Sequence, residues 1–307
     1  ITMAKPVIVP SFLGAVIQVG DSESRMAVGI CYARPYYLDY AVDEITEPTQ
    51  PDFNPDSTIK QSLSRFRTAF AMDFSLRKTG EKGFFSHLAL GAGLDLGWVD
   101  WTFTGPDKER TDTAISMGFG LGALLGVYDN TESFKVNLGI AYQSAIQFDF
   151  MIEPDILPAF DMPQQVNVGA TFYLLEGTPL RATIDFQWIN WSATAEDPTL
   201  SGDFKTFDDA FNISVGFEYR IQISESFFLY PRAGYRLFDP PWEDEDDLPA
   251  TGRYKLVLDT KGSSVNIFSL GAGLSFSTEE GTFRTIDIAF DFGGDSANVA
   301  VGYTHEF

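Results

Sequence analysis

The sequence predicts an all-β fold, an antiparallel transmembrane β-barrel, from three observations. Apolar and polar residues alternate with a period of two from one end to the other, the connections between these runs alternate between short and long, and no stretch of about 18 apolar residues offers a membrane helix. A barrel strand needs only about 10 alternating residues, so weak overall hydropathy is no objection. The chain of 307 residues reads as one domain, 1–307, a length that β-barrels routinely reach as single units. The 15 % aromatic content, with 28 Phe, 12 Tyr and 27 Gly, suits short strands joined by tight turns.

Strands begin near Val7, and about thirteen are readable from there to the C-terminus. The first, Val7 to Val19, is closed by a short turn at Gly20 to Glu23. Further short turns fall at Arg77 to Gly83, Asp129 to Ser133, Glu176 to Pro179, Ser224 to Ser226 and Thr278 to Gly281. Between them lie longer or more acidic connections: Pro35 to Thr58, Thr104 to Asp112, Glu153 to Pro163, Ala193 to Ala210, Asp239 to Ser263 and Gly293 to Ala297. The strands are clearest where Phe134, Val136, Leu138, Ile140 and Tyr142 oppose Lys135, Asn137, Gly139, Ala141 and Gln143. The same split separates Val166, Val168, Ala170, Phe172 and Leu174 from Asn167, Gly169, Thr171 and Tyr173, and separates Phe211 through Ile221 into an apolar and a polar set. One face suits lipid and the other is polar. A soluble sandwich also alternates, but it has no reason to alternate short and long connections.

With the C-terminus in the periplasm, the short turns are periplasmic and the first readable strand runs downward. Bacterial single-chain barrels have even strand numbers, so the expectation is fourteen strands, the first of them preceding Ile1. The last segment alternates through Val299, Val301 and Tyr303 to a terminal Phe307. That ending resembles the signal by which the barrel-assembly machinery recognises its clients, although His305 stands where a hydrophobic residue is usual. Tyr303 and Phe307 are therefore the candidate assembly signal. The expected location is the bacterial outer membrane, with its lipid and lipopolysaccharide as neighbours.

Composition excludes several classes. A net charge of −22 argues against nucleic acid, which demands clustered Lys and Arg. Cys31 is the only cysteine, so neither an internal disulfide nor a cysteine-based zinc cluster can form. Ile1 to Pro6 lacks the features of a signal peptide. The two histidines, His87 and His305, stand beside no triad or metal-ligand pattern, so no catalytic residue, metal or cofactor is expected and the chain reads as a non-enzyme. The acidic run Glu243 to Asp247 lacks ordered ligand spacing and reads as a solvated loop.

The polar face carries Arg65, Arg67, Arg181, Arg220, Arg232 and Arg236 interleaved with Asp73, Asp95, Asp185, Glu218, Asp287 and Asp291. An ion-pair network inside the barrel is one reading, because unpaired charge there is costly. A sharper one gives Arg232 and Arg236, on the same face as Tyr230 and Phe228, the task of binding a carboxylate head group. Glu218 on the preceding strand competes for either arginine. Glycines share inner faces at Gly91, Gly93 and Gly97 and at Gly118, Gly120, Gly122 and Gly126; they leave room for a plug or ligand, or relieve crowding in a curved sheet.

Several stretches resemble the outer-membrane long-chain fatty acid and aromatic hydrocarbon transporter family, the FadL type. They are MPQQVNVGATFYLLEGTPLRATIDFQWINWS from Met162, DAFNISVGFEYRI from Asp209, GFGLGALLGVYDNTESFKVNLGIAYQSAIQFDF from Gly118, VIVPSFLGAVIQVGDSESRMAVGICYARPYYLDY from Val7 and SVNIFSLGAGLSF from Ser264. Their order and spacing carry the likeness, which extends over essentially the whole chain. It implies a fourteen-stranded barrel with an N-terminal hatch and first strand ahead of Ile1, and passive transport of small hydrophobic molecules such as fatty acids. It also implies an inward kink in the third strand that opens a lateral gap, matching Gly29 to Tyr37. Pro35, lacking a donor, would interrupt a ladder there, or else simply ends the strand at the outer rim. The connections matching the family's external capture groove, Thr104 to Asp112 and Glu153 to Pro163, are short for that role. An aqueous porin, and a barrel serving as a structural or secretion and assembly partner of another protein, are the alternative functions.

Overall fold

The structure, a computed structural model, describes residues 2–3, 12–20, 24–42, 57–77, 81–104, 109–130, 133–148, 161–174, 179–193, 209–239, 264–277, 283–293 and 296–306. Every described strand pairs antiparallel with its neighbours in one sheet of sixteen segments. Three positions hold two segments each. β1 (Thr2–Met3) and β2 (Phe12–Gly20) both pair β3 (Ser24–Val42), on the side away from β4 (Ser57–Ser75). β5 (Gly83–Phe84) and β6 (His87–Thr104) both pair β7 (Glu109–Asn130). The wall continues through β8 (Phe134–Gln143), β9 (Gln165–Leu174) and β10 (Leu180–Ile189). β11 (Ala210–Tyr219) and β12 (Ile221–Ser224) both pair β13 (Phe227–Phe238), followed by β14 (Val265–Ser277), β15 (Phe283–Gly293) and β16 (Ser296–Glu306). The result is thirteen strand positions in chain order, the number read from the sequence.

Alternation assigns the two faces. Leu94, Ile115, Met117, Leu270 and Val301 project from one face, Met117 with 78 % of its surface exposed and Leu94 with 69 %. Water would not tolerate an apolar surface repeated on every strand, so this face lies against lipid and the sheet is the wall of a transmembrane barrel. The opposite face carries the charged and amide residues together with the glycines, and it lines the lumen.

Four strands are much longer than a bilayer requires. β3 and β4 have 19 residues each, β6 has 18 and β7 has 22, whereas β8, β9, β10 and β11 have 10 each. β8 pairs β7 only from Asn130 back to Gly120, so the excess lies at the end opposite the short turns. Three of the expected connections contract, and the first, Pro35 to Thr58, is reduced to the stretch between Val42 and Ser57. The loop expected from Thr104 to Asp112 shrinks to the stretch between Thr104 and Glu109, because β6 and β7 stay paired to Thr104↔Glu109. The connection at Gly293 to Ala297 likewise contracts to that between Gly293 and Ser296. The expected short turns all fall between strands, as read. The acidic run Glu243 to Asp247 and Phe307 lie outside the described residues.

Pro35 does not end its strand. β3 runs on to Val42, and the register against β4 shifts between Ala33↔Arg65 and Tyr36↔Leu63. Three steps along β3 match two along β4, the signature of a bulge with one extra residue. A proline without an N–H fits at such a point. The reading of Pro35 as a strand terminator is thus replaced by a bulge inside the strand.

A lumenal site of two polar layers and an apolar cap

The lumen is organised in layers along its axis. The middle layer begins at β4, where alternation points Leu63, Arg65 and Arg67 inward together. Arg67 holds Asp95 of β6 through two parallel bonds, Nε to Oδ1 and Nη2 to Oδ2, both 2.7 Å. Asp95 is 2 % exposed, and the fork-to-fork geometry is what makes a buried carboxylate tolerable there. Arg67 Nη2 also reaches Gln143 Oε1 at 3.2 Å, and Arg65 Nη1 donates to the same oxygen at 2.8 Å. Gln143 lies on β8, two strands beyond Asp95. The reach is possible because Gly120 stands in between: a Cβ on Gly120 would come within 3.3 Å of Arg67 Nη2.

From Gln143 the polar layer continues strand by strand. Gln165 Nε2 donates to Gln143 Oε1 at 2.8 Å, Gln187 Nε2 to Gln165 Oε1 at 2.9 Å, and Asn212 Nδ2 to Gln187 Oε1 at 2.8 Å. Asp239 N closes the run on Asn212 Oδ1 at 3.1 Å. From Gln165 to Asn212 each amide uses one donor and one acceptor, whereas Gln143 uses only its oxygen and its Nε2 has no acceptor among the described residues.

Above this layer, at the long-loop end, lies an apolar cap. After β8 the chain turns into the lumen: Ser144 N donates to Phe119 O, and Ile146 and Met162 exchange backbone bonds of 2.9 and 3.0 Å. Phe148 N is held by Asp161 Oδ1 at 2.8 Å. Ile146, Phe148 and Met162 then pack with Leu63, Val99 and Ala114 into a buried cluster. The seats are glycines. A Cβ on Gly118 would fall 2.7 Å from Ile146 Cγ1, and one on Gly97 would fall 3.0 Å from Phe148 Cζ. Of the two roles open to these glycines, making room is the one taken here, and the occupant is the chain itself. Burying each such anchor is worth about 1.5–3 kcal/mol.

Below, toward the short turns, a second polar layer holds Arg232, Tyr230 and Phe228 of the residues expected to bind a carboxylate head, while Arg236 stands near the long-loop end of β13. Arg232, Arg236, Tyr230 and Phe228 do share one face of β13, but they have separate partners. Arg232 Nε donates to Glu218 Oε2 at 2.6 Å and Nη1 to Asp287 Oδ1 at 2.5 Å, while Arg181 Nη2 donates to the same Glu218 oxygen at 3.2 Å. Gly273 of β14 lets Arg232 and Asp287 meet, since a Cβ there would fall 2.6 Å from Asp287 Oδ1. Phe228, 5 % exposed, lies under Arg220, whose Cζ is 4.3 Å from the ring centroid. Arg236 is exposed to the lumen, its Cζ 5.1 Å from the Phe238 ring, and has no carboxylate partner among the described residues. The competition foreseen from Glu218 therefore falls on Arg232 and leaves Arg236.

Sequence reading missed the cap, Gln143 and the amide ladder. Their one visible trace was the run of amides at strand ends, Gln143, Gln165, Gln187 and Asn212, which period-two reading merely files as polar. His87 faces Gly126 near the short-turn end, with Ser86 Oγ 3.1 Å from its Nδ1. Among the described residues no three His, Cys, Asp or Glu side chains converge as metal ligands.

Solved structures share this architecture. The toluene transporter TbuX of Ralstonia pickettii aligns over 96 % of this chain and 80 % of its own, with a TM-score of 0.57 and 14 % identity. A FadL homologue of Pseudomonas aeruginosa aligns over 96 % and 75 %, with a TM-score of 0.55 and 12 % identity. The toluene transporter TodX of Pseudomonas putida aligns over 95 % and 81 %, with a TM-score of 0.55 and 12 % identity. No protein-family model and no curated protein matches the sequence. Identity this low speaks to architecture alone, and on that architecture the chain has the fold of the FadL-type outer-membrane β-barrels.

Proposed function

We propose that this chain sits in the bacterial outer membrane and carries small hydrophobic molecules passively across it. The observation that carries this reading is the apolar cap of Leu63, Val99, Ala114, Ile146, Phe148 and Met162 inside the lumen. A water-filled porin keeps a polar channel, whereas an apolar constriction passes molecules that can replace one apolar surface with another. The likeness in fold to two toluene transporters and a FadL homologue supports the same class of cargo.

Acids such as fatty acids are the finer proposal, held by the head group at Arg236, since Arg232 is engaged by Glu218 and Asp287. Tyr230 and Phe228 then contribute to the wall below rather than to the head-group contact. The bulge at Pro35 is proposed as the lateral exit toward lipid. Outside the barrel, lipid and lipopolysaccharide contact the apolar face, and the barrel-assembly machinery reads Tyr303, which is 62 % exposed on that face, together with Phe307.

Uptake into proteoliposomes tests this. Wild type is expected to accelerate entry of decanoate and of toluene while adding little steady ion conductance. Arg236→Ala should slow decanoate about tenfold, the worth of one charge-assisted bond, and spare toluene. Pro35→Val should slow both. A large ohmic conductance without selective uptake would establish the porin reading instead, and equal losses of acid and toluene in Arg236→Ala would remove the head-group assignment.

A further inference from the structure

Beyond the outer end of β8, one edge of β7 carries no strand among the described residues. β8 pairs β7 only as far as Gly120↔Gln143, whereas β7 stays paired to β6 in unbroken register as far as Glu109. Phe119 is the last residue served on the β8 side: its N–H donates to Ser144 Oγ at 2.9 Å and its C=O accepts from Ser144 N at 2.8 Å. In an antiparallel strand every second residue points both backbone groups to the same edge. The N–H and C=O of Met117, Ile115, Thr113 and Thr111 therefore face the space where β8 has ended. Thr113 N is capped locally, by Asp112 Oδ1 at 2.8 Å. Met117 and Ile115 have no such partner among the described residues, and an open edge of this kind is a template for a further strand.

The side chains specify what that strand carries. Met117, 78 % exposed, is the most exposed large apolar residue among those described, ahead even of Val16 and Val301 on the strands that end the sheet, and Ile115 beside it is 67 % exposed. Residues that exchange bonds with these two project on the same face, so apolar side chains there cover them. Toward the tip of the β6–β7 hairpin, Asp100, Asp107, Glu109 and Asp112 stand against Lys108 and Arg110, in a chain of net charge −22. That acidic tip favours a basic partner. A strand antiparallel to β7 brings its C-terminal end there. A second copy fits poorly: copies inserted the same way run their β7 strands in the same direction, so they cannot pair antiparallel. A two-fold axis along the strands would continue the lipid face of one sheet as the lumenal face of the other. Strand addition at this height already occurs on the opposite side of the long strands, where β3 takes β1 through Thr2↔Ala41 and Met3↔Tyr40.

We propose that the edge of β7 from Thr111 to Met117 is a docking surface for an extended segment of another protein, added antiparallel as a further strand. The segment carries apolar residues at the alternate positions opposite Ile115 and Met117, and basic residues toward its C-terminal end. With the short turns in the periplasm, this surface is open to the cell exterior. It is independent of what passes through the lumen.

The probe is a synthetic peptide of about ten residues, the length of a long strand, alternating valine with threonine and ending in lysines. Its binding to the full-length protein in lipid nanodiscs is read by fluorescence anisotropy. Methylating the valine nitrogens, which point at β7, should weaken binding about tenfold or more, since several backbone bonds are lost together. Methylating the threonine nitrogens, which point away, should change it by less than about threefold. Ile115→Thr combined with Met117→Thr removes exposed apolar surface only, so the barrel keeps its heat-modifiable mobility while the peptide binds about tenfold more weakly. Equal losses from the two methylations would mean adsorption without strand pairing and would overturn the proposal. Undiminished binding to the double variant, or a glutamate-ended peptide binding as tightly as the lysine-ended one, would do the same. Absence of binding to wild type overturns it too and leaves the edge covered by the chain itself. A wild-type dimer on sizing in detergent that the double variant dissociates would instead give the edge to a second copy.

Discussion

Gly273 allows an ion pair to pass over a strand. Arg232 on β13 and Asp287 on β15 are separated by β14, and their contact runs across the spot where any other residue would place a Cβ. The same holds for Arg67, Gly120 and Gln143. Gly273→Leu should therefore part Arg232 from Asp287 and leave a carboxylate in the lumen without its partner, at a cost of about 1–3 kcal/mol. The check is the temperature at which the barrel loses its heat-modifiable mobility on a gel, and an unchanged temperature would show that the pair contributes nothing. Which residues face inward was legible from period two alone, including all four members of the expected head-group set. Glu218 was legible as a partner because it stands on the preceding strand, but Asp287 was not, because its contact with Arg232 joins residues 55 apart in sequence and strand alternation says nothing about how far an arginine reaches along its own face.

At the scale of elements, the segment after β8 behaves differently from the other connections. Loop lengths marked it as an outward connection, yet its first residues fold inward, because Gly97 and Gly118 offer depressions in the wall that Ile146 and Phe148 fill. The glycines were visible in sequence, but what fills them depends on an antiparallel bridge between Ile146 and Met162 that no local pattern announces. Gly118→Val should collide with Ile146 and push the segment out of its seat. Its expected signature is a higher single-channel ion conductance in planar bilayers, by about severalfold if the cap is the narrowest point, with the strand content unchanged by circular dichroism. Unaltered conductance in a folded variant would mean that the constriction lies elsewhere. Pro35 teaches the same lesson: the residue was legible as an interruption, but a bulge and a strand end look alike until the register resumes at Tyr36↔Leu63.

At the scale of the whole molecule, orientation follows from the arrangement of connections. The short turns fall at one end and the long connections at the other, and outer-membrane barrels keep short turns in the periplasm. A cysteine at position 245, as Glu245→Cys with Cys31→Ser, should react with a membrane-impermeant maleimide on intact cells. Labelling only after lysis would reverse the orientation. Deleting Phe307 is expected to reduce the amount of assembled barrel in the outer membrane several-fold without changing the melting of the barrel that does assemble. Undiminished assembly would remove the terminal aromatic as a signal.

The unequal strand lengths give the molecule a rim that is not level. β4 exceeds β8 by nine residues, about 30 Å along the strand and about 23 Å of height at a tilt of about 40°. Since that excess lies beyond the outer end of β8, β3, β4, β6 and β7 stand as a parapet above the outer ends of β8 to β11. An approaching molecule thus meets a sloping doorway with one high jamb. Its low sill adjoins the place where the segment bearing Ile146 and Phe148 turns in.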